Sequence, residues 1–382
     1  MNAGQTTDNA APDSAAFPVS AQAVSACVQQ TVRADVQQTH AYVVADATGL
    51  LKLDAMENPH PLPEALKQGL AQRLAEVALN RYPSPESPAL EAVLRGATPI
   101  PAQAPVMFGN GSDELIHLII QACCAPGDVV LSPIPTFVMY AVSAQWNHAR
   151  FVGVPTLPDF SLDMPALLAA IETERPKVLF VAYPNNPTGR ACRTEDLQAL
   201  AHAMHPGLLV VDEAYAPFSS SSFMPHVLDL PNVVVVRTLS KQGLAGIRLG
   251  YMAGAPAWMA ELNKVRPPYN INVLTRAAAE FLLAHHHVLD EQAADLVAQR
   301  AELAQQLAQM PGVLQVYDSQ ANFLIFRVAD AAAVFQALRN AGILIKNVSG
   351  MHPLLSGCLR VTVSTADENR QFLNALQKVM AS

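Results

Sequence analysis

Long apolar runs are missing from this chain. No uninterrupted stretch nears the roughly 18 residues a membrane-spanning helix needs. Positive charge is also scarce: 24 Lys and Arg stand against 32 Asp and Glu, a net charge of -8. That balance argues against nucleic acid or an anionic membrane as the main partner. The first Lys or Arg is Arg33, so a basic secretory signal and an Arg-rich transit peptide are not expected, and a cytoplasmic location is. Cysteine is sparse and scattered (Cys27, Cys123, Cys124, Cys192 and Cys358), with no CxxC pair. This excludes a disulfide framework or structural zinc and leaves small buried hydrophobes in a reducing compartment. No metal site is expected. There is no internal repeat. What is present is 382 residues, 51% hydrophobic and only 15% charged, enough for a large core and two domains.

Residues 1–25 are rich in Ala, Ser, Asp and Asn and read mostly as a flexible tail. Tyr42-Val43-Val44 and Leu50 to Leu53 bring the chain toward the core, and 62–79 has helical spacing, broken at Arg81-Tyr82-Pro83. From about 105 to 250 short apolar strands alternate with helices. The strands are Val106-Met107-Phe108, Val129-Val130-Leu131, Val178 to Val181, Leu208 to Val211 and Val233 to Val236. Continuous apolar strands between helices indicate a mostly parallel α/β sheet covered on both faces. A long helix over 288–309 follows. Then 314–382 mixes short strands with helices near 331–340 and 367–380, a smaller α+β domain. His285-His286-His287 reads as a solvated helix end rather than a metal site. The organisation expected is a tail over 1–25, an N-terminal segment over 26–75 serving the small domain and dimer contacts, a large domain over 76–285 and a small one over 286–382.

Each strand in the 105–250 region runs into a polar cluster. Ligands of such sheets sit at the carboxyl ends of the strands, so these clusters converge. Thr238-Leu239-Ser240-Lys241 and Arg248 are set among Gly243, Gly246 and Gly250. A lysine beside a buried strand has its pKa lowered and is fit for imine chemistry. Ser240 and Arg248 suit a phosphate. Alone, the stretch reads as well as a surface lysine in a turn. Gly109-Asn110-Gly111-Ser112-Asp113 offers helix-start N–H groups to an anion or is a plain N-cap. Asp212 ends a buried strand and needs a partner such as a protonated pyridine nitrogen, or caps the next turn. Tyr215 and Asn186 can reach a phenolic oxygen, and Phe137 offers a flat face. Together these meet every contact of pyridoxal 5'-phosphate (PLP).

Asn186-Pro187-Thr188-Gly189, Asp212-Glu213-Ala214-Tyr215 and Ser240-Lys241 with Arg248 resemble fold-type I PLP aminotransferases. Five further stretches narrow the likeness: Leu53-Asp54-Ala55-Met56-Glu57-Asn58-Pro59, Asn80-Arg81-Tyr82-Pro83, Gly111-Ser112-Asp113-Glu114, Ala321-Asn322-Phe323 and Ser356 to Thr362. These resemble the histidinol-phosphate aminotransferases over about residues 40 to 375.

The resemblance implies ping-pong transamination between histidinol phosphate and 2-oxoglutarate, with Lys241 joined to PLP as an imine and then moving the substrate proton. It implies that Asp212 pairs with the pyridinium, that Tyr215 and Asn186 hold the phenolic oxygen, and that Phe137 stacks on the ring. Gly111, Ser112, Asp113, Thr238, Ser240 and Arg248 would hold the cofactor phosphate. Tyr82 would reach the phosphate in the neighbouring subunit, making a homodimer with shared sites. Arg360, with Asn186, Asn322, Tyr42 and Lys346, would bind substrate. Phe137, Met56 and Lys346 depart from the family's usual Tyr, Asn and Arg, and the last two touch substrate recognition. The alternatives are another amino acid aminotransferase or a threonine-phosphate decarboxylase of the same fold. A non-catalytic PLP-sensing module would need a basic DNA-binding domain, for which the first 40 residues are too short and too poor in Lys and Arg.

Overall fold

The computed structural model describes residues 20–39, 41 and 44–381. Two units result, residues 1–45 and 46–382. In the first, α1 (Ala21–Thr31) is capped by Ser20, whose side chain accepts from the Ala23 N–H, and α2 (Ala34–Gln37) follows. The Gln37 amide donates to the carbonyls of Gln29 and Val32 and ties the two helices together. Residues 21–25, expected in a tail, are thus the first turns of a capped helix.

The second unit carries three sheets. In chain order it contains β1 (Leu51–Lys52), α3 (Glu64–Ala75), α4 (Pro88–Ala97), β2 (Val106–Gly109), α5 (Ser112–Cys123), β3 (Val129–Ile134), α6 (Met139–Trp146) and β4 (Arg150–Pro155). Next come α7 (Met164–Glu174), β5 (Val178–Ala182), α8 (Thr194–Met204), β6 (Leu208–Asp212), β7 (Val233–Thr238), β8 (Gly250–Gly254), α9 (Pro256–Leu262) and α10 (Val273–Leu283). The remainder is α11 (His286–Ala308), β9 (Val313–Val316), β10 (Phe323–Val328), α12 (Ala331–Asn340), β11 (Ile343–Leu344), β12 (Lys346–Asn347), β13 (Cys358–Thr362) and α13 (Ala366–Met380).

The larger sheet has seven strands in the order β2-β8-β7-β6-β5-β3-β4. Only β8 runs against its neighbours β2 and β7. Side chains of a strand alternate between faces, and here the alternation divides the core in two. Leu179, Val181, Leu209, Val211, Val233 and Val235 face α4, α7, α8 and α10. Val178, Phe180, Val210, Val234 and Val236 face α5, α6 and α9. Both faces are apolar because both are covered, which is why these strands lack polar alternation.

The smaller sheet is antiparallel, β12-β13-β10-β9, and packs with α11, α12 and α13 around Phe323, Phe326, Leu359, Val361 and Phe372. The N-terminal segment packs beside it: β1 pairs in parallel with β11 in a separate two-stranded sheet, Leu51 opposite Ile343, and the Thr362 N–H of β13 donates to the Leu53 carbonyl at 2.9 Å. Val44, expected to head for the core, is 74% exposed; its neighbours Tyr42 and Val43 lie outside the described residues.

Candidate active site

Strand parity carries straight into the site. Asp212 is the last residue of β6 and keeps the parity of Val210, so it points to the α5 and α6 side. There it is buried. Tyr140 of α6 donates its hydroxyl to Oδ2 at 2.7 Å, and the Ala214 N–H donates to Oδ1 at 3.1 Å. No cation pairs with this carboxylate among the described residues. Burial pushes it up to about 6, against the pull of the Tyr140 and Ala214 donors. Glu213 has the opposite parity and meets Arg237, which shares the face of Val233 and Val235. The Arg237 Nε–H donates to Glu213 Oε2 at 2.8 Å, with Glu213 buried and Arg237 only slightly exposed. Two adjacent carboxylates therefore face opposite sides of the sheet end.

Beyond β7, Lys241 sits in a one-turn 3-10 helix whose exit needs Gly243 at φ 108°. Its ammonium donates to the Ala55 carbonyl at 3.1 Å. Burial, helped by the nearby Arg360 cation, lowers the amine to about 8. Around it lies an anion seat. Thr238 donates to Ser240 Oγ at 3.0 Å, and Arg248 Nη1 donates to the same oxygen at 3.2 Å. Arg248 Nη2 lies 3.6 Å from Asp113. Gly111 precedes α5 at φ 79°, a backbone that favours glycine, and a Cβ there would press on Arg248 Nη2 at 2.8 Å. The first-turn N–H groups of Ser112 and Asp113 complete the seat.

One cavity is lined by Asp212, Lys241, Thr238, Ser240, Arg248, Ser112 and Asp113, and by Phe137, Tyr140, Asn186, Tyr215 and Met56; Gly111 and Arg360 stand just outside its lining. The cavity thus joins a buried carboxylate, a nucleophilic amine, an anion seat and an aromatic wall. Asn186 accepts from Arg360 Nη1 at 2.6 Å, and Arg360 Nη2 donates to the Asp54 carbonyl at 2.8 Å. Tyr215 stands edge-on to Phe323, with ring centres 5.2 Å apart.

Not every expected residue is here. Asn322 is buried away from the cavity and donates to the Met56 carbonyl at 3.0 Å. Lys346 pairs across β12 and β13 with Arg360 and flanks the site without lining it. Tyr82 is 81% exposed and stacks on Tyr269 with centres 4.8 Å apart, outside this chain's cavity. Tyr42 lies outside the described residues. Tyr140 was missed by the sequence reading. The available signal was its spacing of three from Phe137, which puts both on one face of a helical turn.

Residues 48–376 match the family model described as aminotransferase class I and II, and the chain belongs to that family. Its relatives are more particular. The chain is 54% identical over 349 residues to histidinol-phosphate aminotransferase 1 of Burkholderia lata, covering 91% of this chain and 98% of that one. It is 55% identical over 351 residues to histidinol-phosphate aminotransferase of Chromobacterium violaceum, covering 92% and 98%. Among solved structures, histidinol-phosphate aminotransferase of Sinorhizobium meliloti in complex with pyridoxal-5'-phosphate superposes with a TM-score of 0.81 at 25% identity, over 92% and 98% of the two chains. These likenesses agree with the resemblance and the fold class expected from the motifs. No helix among the described residues is long and apolar enough to cross a membrane.

Proposed function

We propose that this chain is a PLP-dependent aminotransferase moving the amino group of L-histidinol phosphate to 2-oxoglutarate in histidine biosynthesis. It works in the cytoplasm as a homodimer. The observation that carries the reading is the pairing, in one cavity, of a buried cation-free Asp212 with the lowered amine of Lys241. PLP has a ring N–H that needs an anion, a carbonyl that needs an amine and a phosphate that needs a seat, and the donor set fits all three. When bound, it supplies an electron-withdrawing ring that stabilises negative charge at the substrate Cα.

The chain's own residues do the rest. Asp212 accepts the ring N–H and keeps the ring nitrogen protonated, with Tyr140 and the Ala214 amide holding the carboxylate in place. Thr238, Ser240, Arg248, Gly111 and the α5 N-terminus hold the phosphate. Tyr215 and Asn186 hold the phenolic oxygen, and Phe137 lies against the ring. Lys241 is the amine that would hold the cofactor's carbonyl carbon, with loss of water, and it is placed to take the proton from the substrate Cα and hand it to that carbon, which the amino nitrogen separates from Cα. Its lowered pKa keeps a useful share of neutral amine near pH 8. Arg360 binds an anionic group of the substrates as a planar fork, and Lys346 adds charge behind it. Tyr82 reaches the phosphate seat of the partner subunit, which its exposure and its stack on Tyr269 support.

Single-turnover absorbance of the purified yellow protein tests the reading. Histidinol phosphate should bleach the visible band quickly, and 2-oxoglutarate should restore it. Fast bleaching by phenylalanine or threonine phosphate, with none by histidinol phosphate, would keep the cofactor and discard the substrate.

A further inference from the structure

Every residue lining the cavity except Met56 belongs to the seven-stranded sheet, its loops or the helices α5 and α6. Met56 comes instead from the segment that packs beside the smaller sheet. Its backbone is left-handed, φ 54°, a conformation that side chains on Cβ disfavour. It persists because both sides of the residue are held. The Met56 N–H donates to Thr362 Oγ1 at 3.0 Å, and the Met56 carbonyl accepts from Asn322 Nδ2 at 3.0 Å. Thr362 is 4% exposed and Asn322 1%. The two preceding carbonyls are held as well, Asp54 by Arg360 and Ala55 by Lys241. Three consecutive residues are therefore fixed, and the third puts its side chain on the cavity wall that no sheet residue supplies.

We infer that Met56 is a specificity residue. It is the apolar face against which the ring of a ring-bearing amino donor packs, and Asn322 and Thr362 are the positioning residues that hold it there. The inference rests on the aminotransferase reading above. An unbranched thioether adapts to a flat ring and makes a favourable sulfur–aromatic contact. An acyclic acidic donor such as glutamate has no ring to offer it and relies on the Arg360 side of the cavity. Backbone strain held by buried partners is typical of sites where a contact must be placed. Asn322, expected to touch substrate, acts here through Met56.

Met56→Gly gives the cleanest test, because glycine accepts the left-handed backbone while losing the wall. The second variant, Met56→Leu, keeps apolar bulk without sulfur. Wild type and variants are compared with histidinol phosphate, phenylalanine and glutamate as donors. Binding of a non-reacting imidazolylpropyl phosphate is followed by calorimetry, and retained PLP by absorbance. In Met56→Gly, kcat/KM for the ring donors should fall about tenfold, mostly through KM. The analogue should weaken by a like factor. Glutamate turnover should change less than about threefold, and PLP retention should hold. Met56→Leu should recover most of the loss. Equal losses on ring and acyclic donors, or loss of PLP, would overturn the assignment. A wild type that prefers phenylalanine to histidinol phosphate breaks the substrate reading alone, since the ratio of ring to acyclic donors still decides Met56.

Discussion

Asp212 and Glu213 are neighbours, both carboxylates and both buried, yet the sheet gives them opposite fates. Glu213 meets Arg237, donates nothing to the cavity, and accepts from the Phe223 N–H and the Ser222 hydroxyl. It is a closed account of charge, internal to the fold. Asp212 meets a tyrosine hydroxyl and one amide. Two hydrogen bonds do not neutralise a buried anion, so it is raised toward protonation and left in need of a cation from outside. One residue of strand parity separates a structural ion pair from a buried carboxylate that lines the cavity.

The largest effects should come from reversing these roles. Asp212→Asn should lower kcat by about 10²- to 10³-fold through lost electrostatic stabilisation. The cofactor-free protein should be no less stable, since an uncompensated carboxylate has gone; chemical denaturation of the PLP-free chain checks this. Glu213→Gln should do the opposite. It leaves the Arg237 guanidinium buried without its charge partner and should cost about 3–5 kcal/mol of stability, while the folded fraction keeps near-normal turnover. If Glu213→Gln instead removed turnover at unchanged stability, the division between the two carboxylates would be wrong.

A smaller effect sharpens the comparison from the lysine side. Lys241 is lowered to about 8 from a usual value of 10.5. The unfolded chain therefore binds more protons than the folded one between those values, and stability of the PLP-free protein should rise with pH across about 8 to 10.5. Capture of PLP should speed up through pH about 8 as neutral amine accumulates. Arg360→Gln removes a nearby positive charge and should move that midpoint upward. Stopped-flow mixing with PLP across pH reads it, and an unmoved midpoint would show that burial alone sets the amine.

The Asp212 side has the matching test, and the smallest expected effect. Tyr140→Phe keeps the ring stacked on Phe180, at centres 4.7 Å apart, and loses one hydrogen bond to a charged group, worth about 1.5–3 kcal/mol. The Asp212 carboxyl should rise further, so the acid limb of PLP retention moves to higher pH and kcat falls about tenfold. Retention unchanged with pH would leave Tyr140 a packing residue.

Much of this site is legible in the sequence, for a physical reason. Strand ends in a parallel sheet converge, so Lys241, Asp212, Asn186 and Ser240 had only to follow apolar runs to be placed together. The antiparallel β8 was harder: Gly250 to Gly254 begins and ends in glycine and reads as loop, although Gly250 is what lets its backbone approach Gly111 and Ser112. Tyr140 hid as one aromatic in an apolar helix. The roles of Met56 and Asn322 depend on a left-handed dihedral and on contacts across more than 260 residues of chain, and no local pattern announces either.

The most direct test of the account is borohydride reduction of the PLP-loaded protein followed by peptide mass mapping. The account predicts a reduced phosphopyridoxyl group on Lys241 and on no other lysine. A label on a different lysine, or none on a protein that still transaminates, would contradict it.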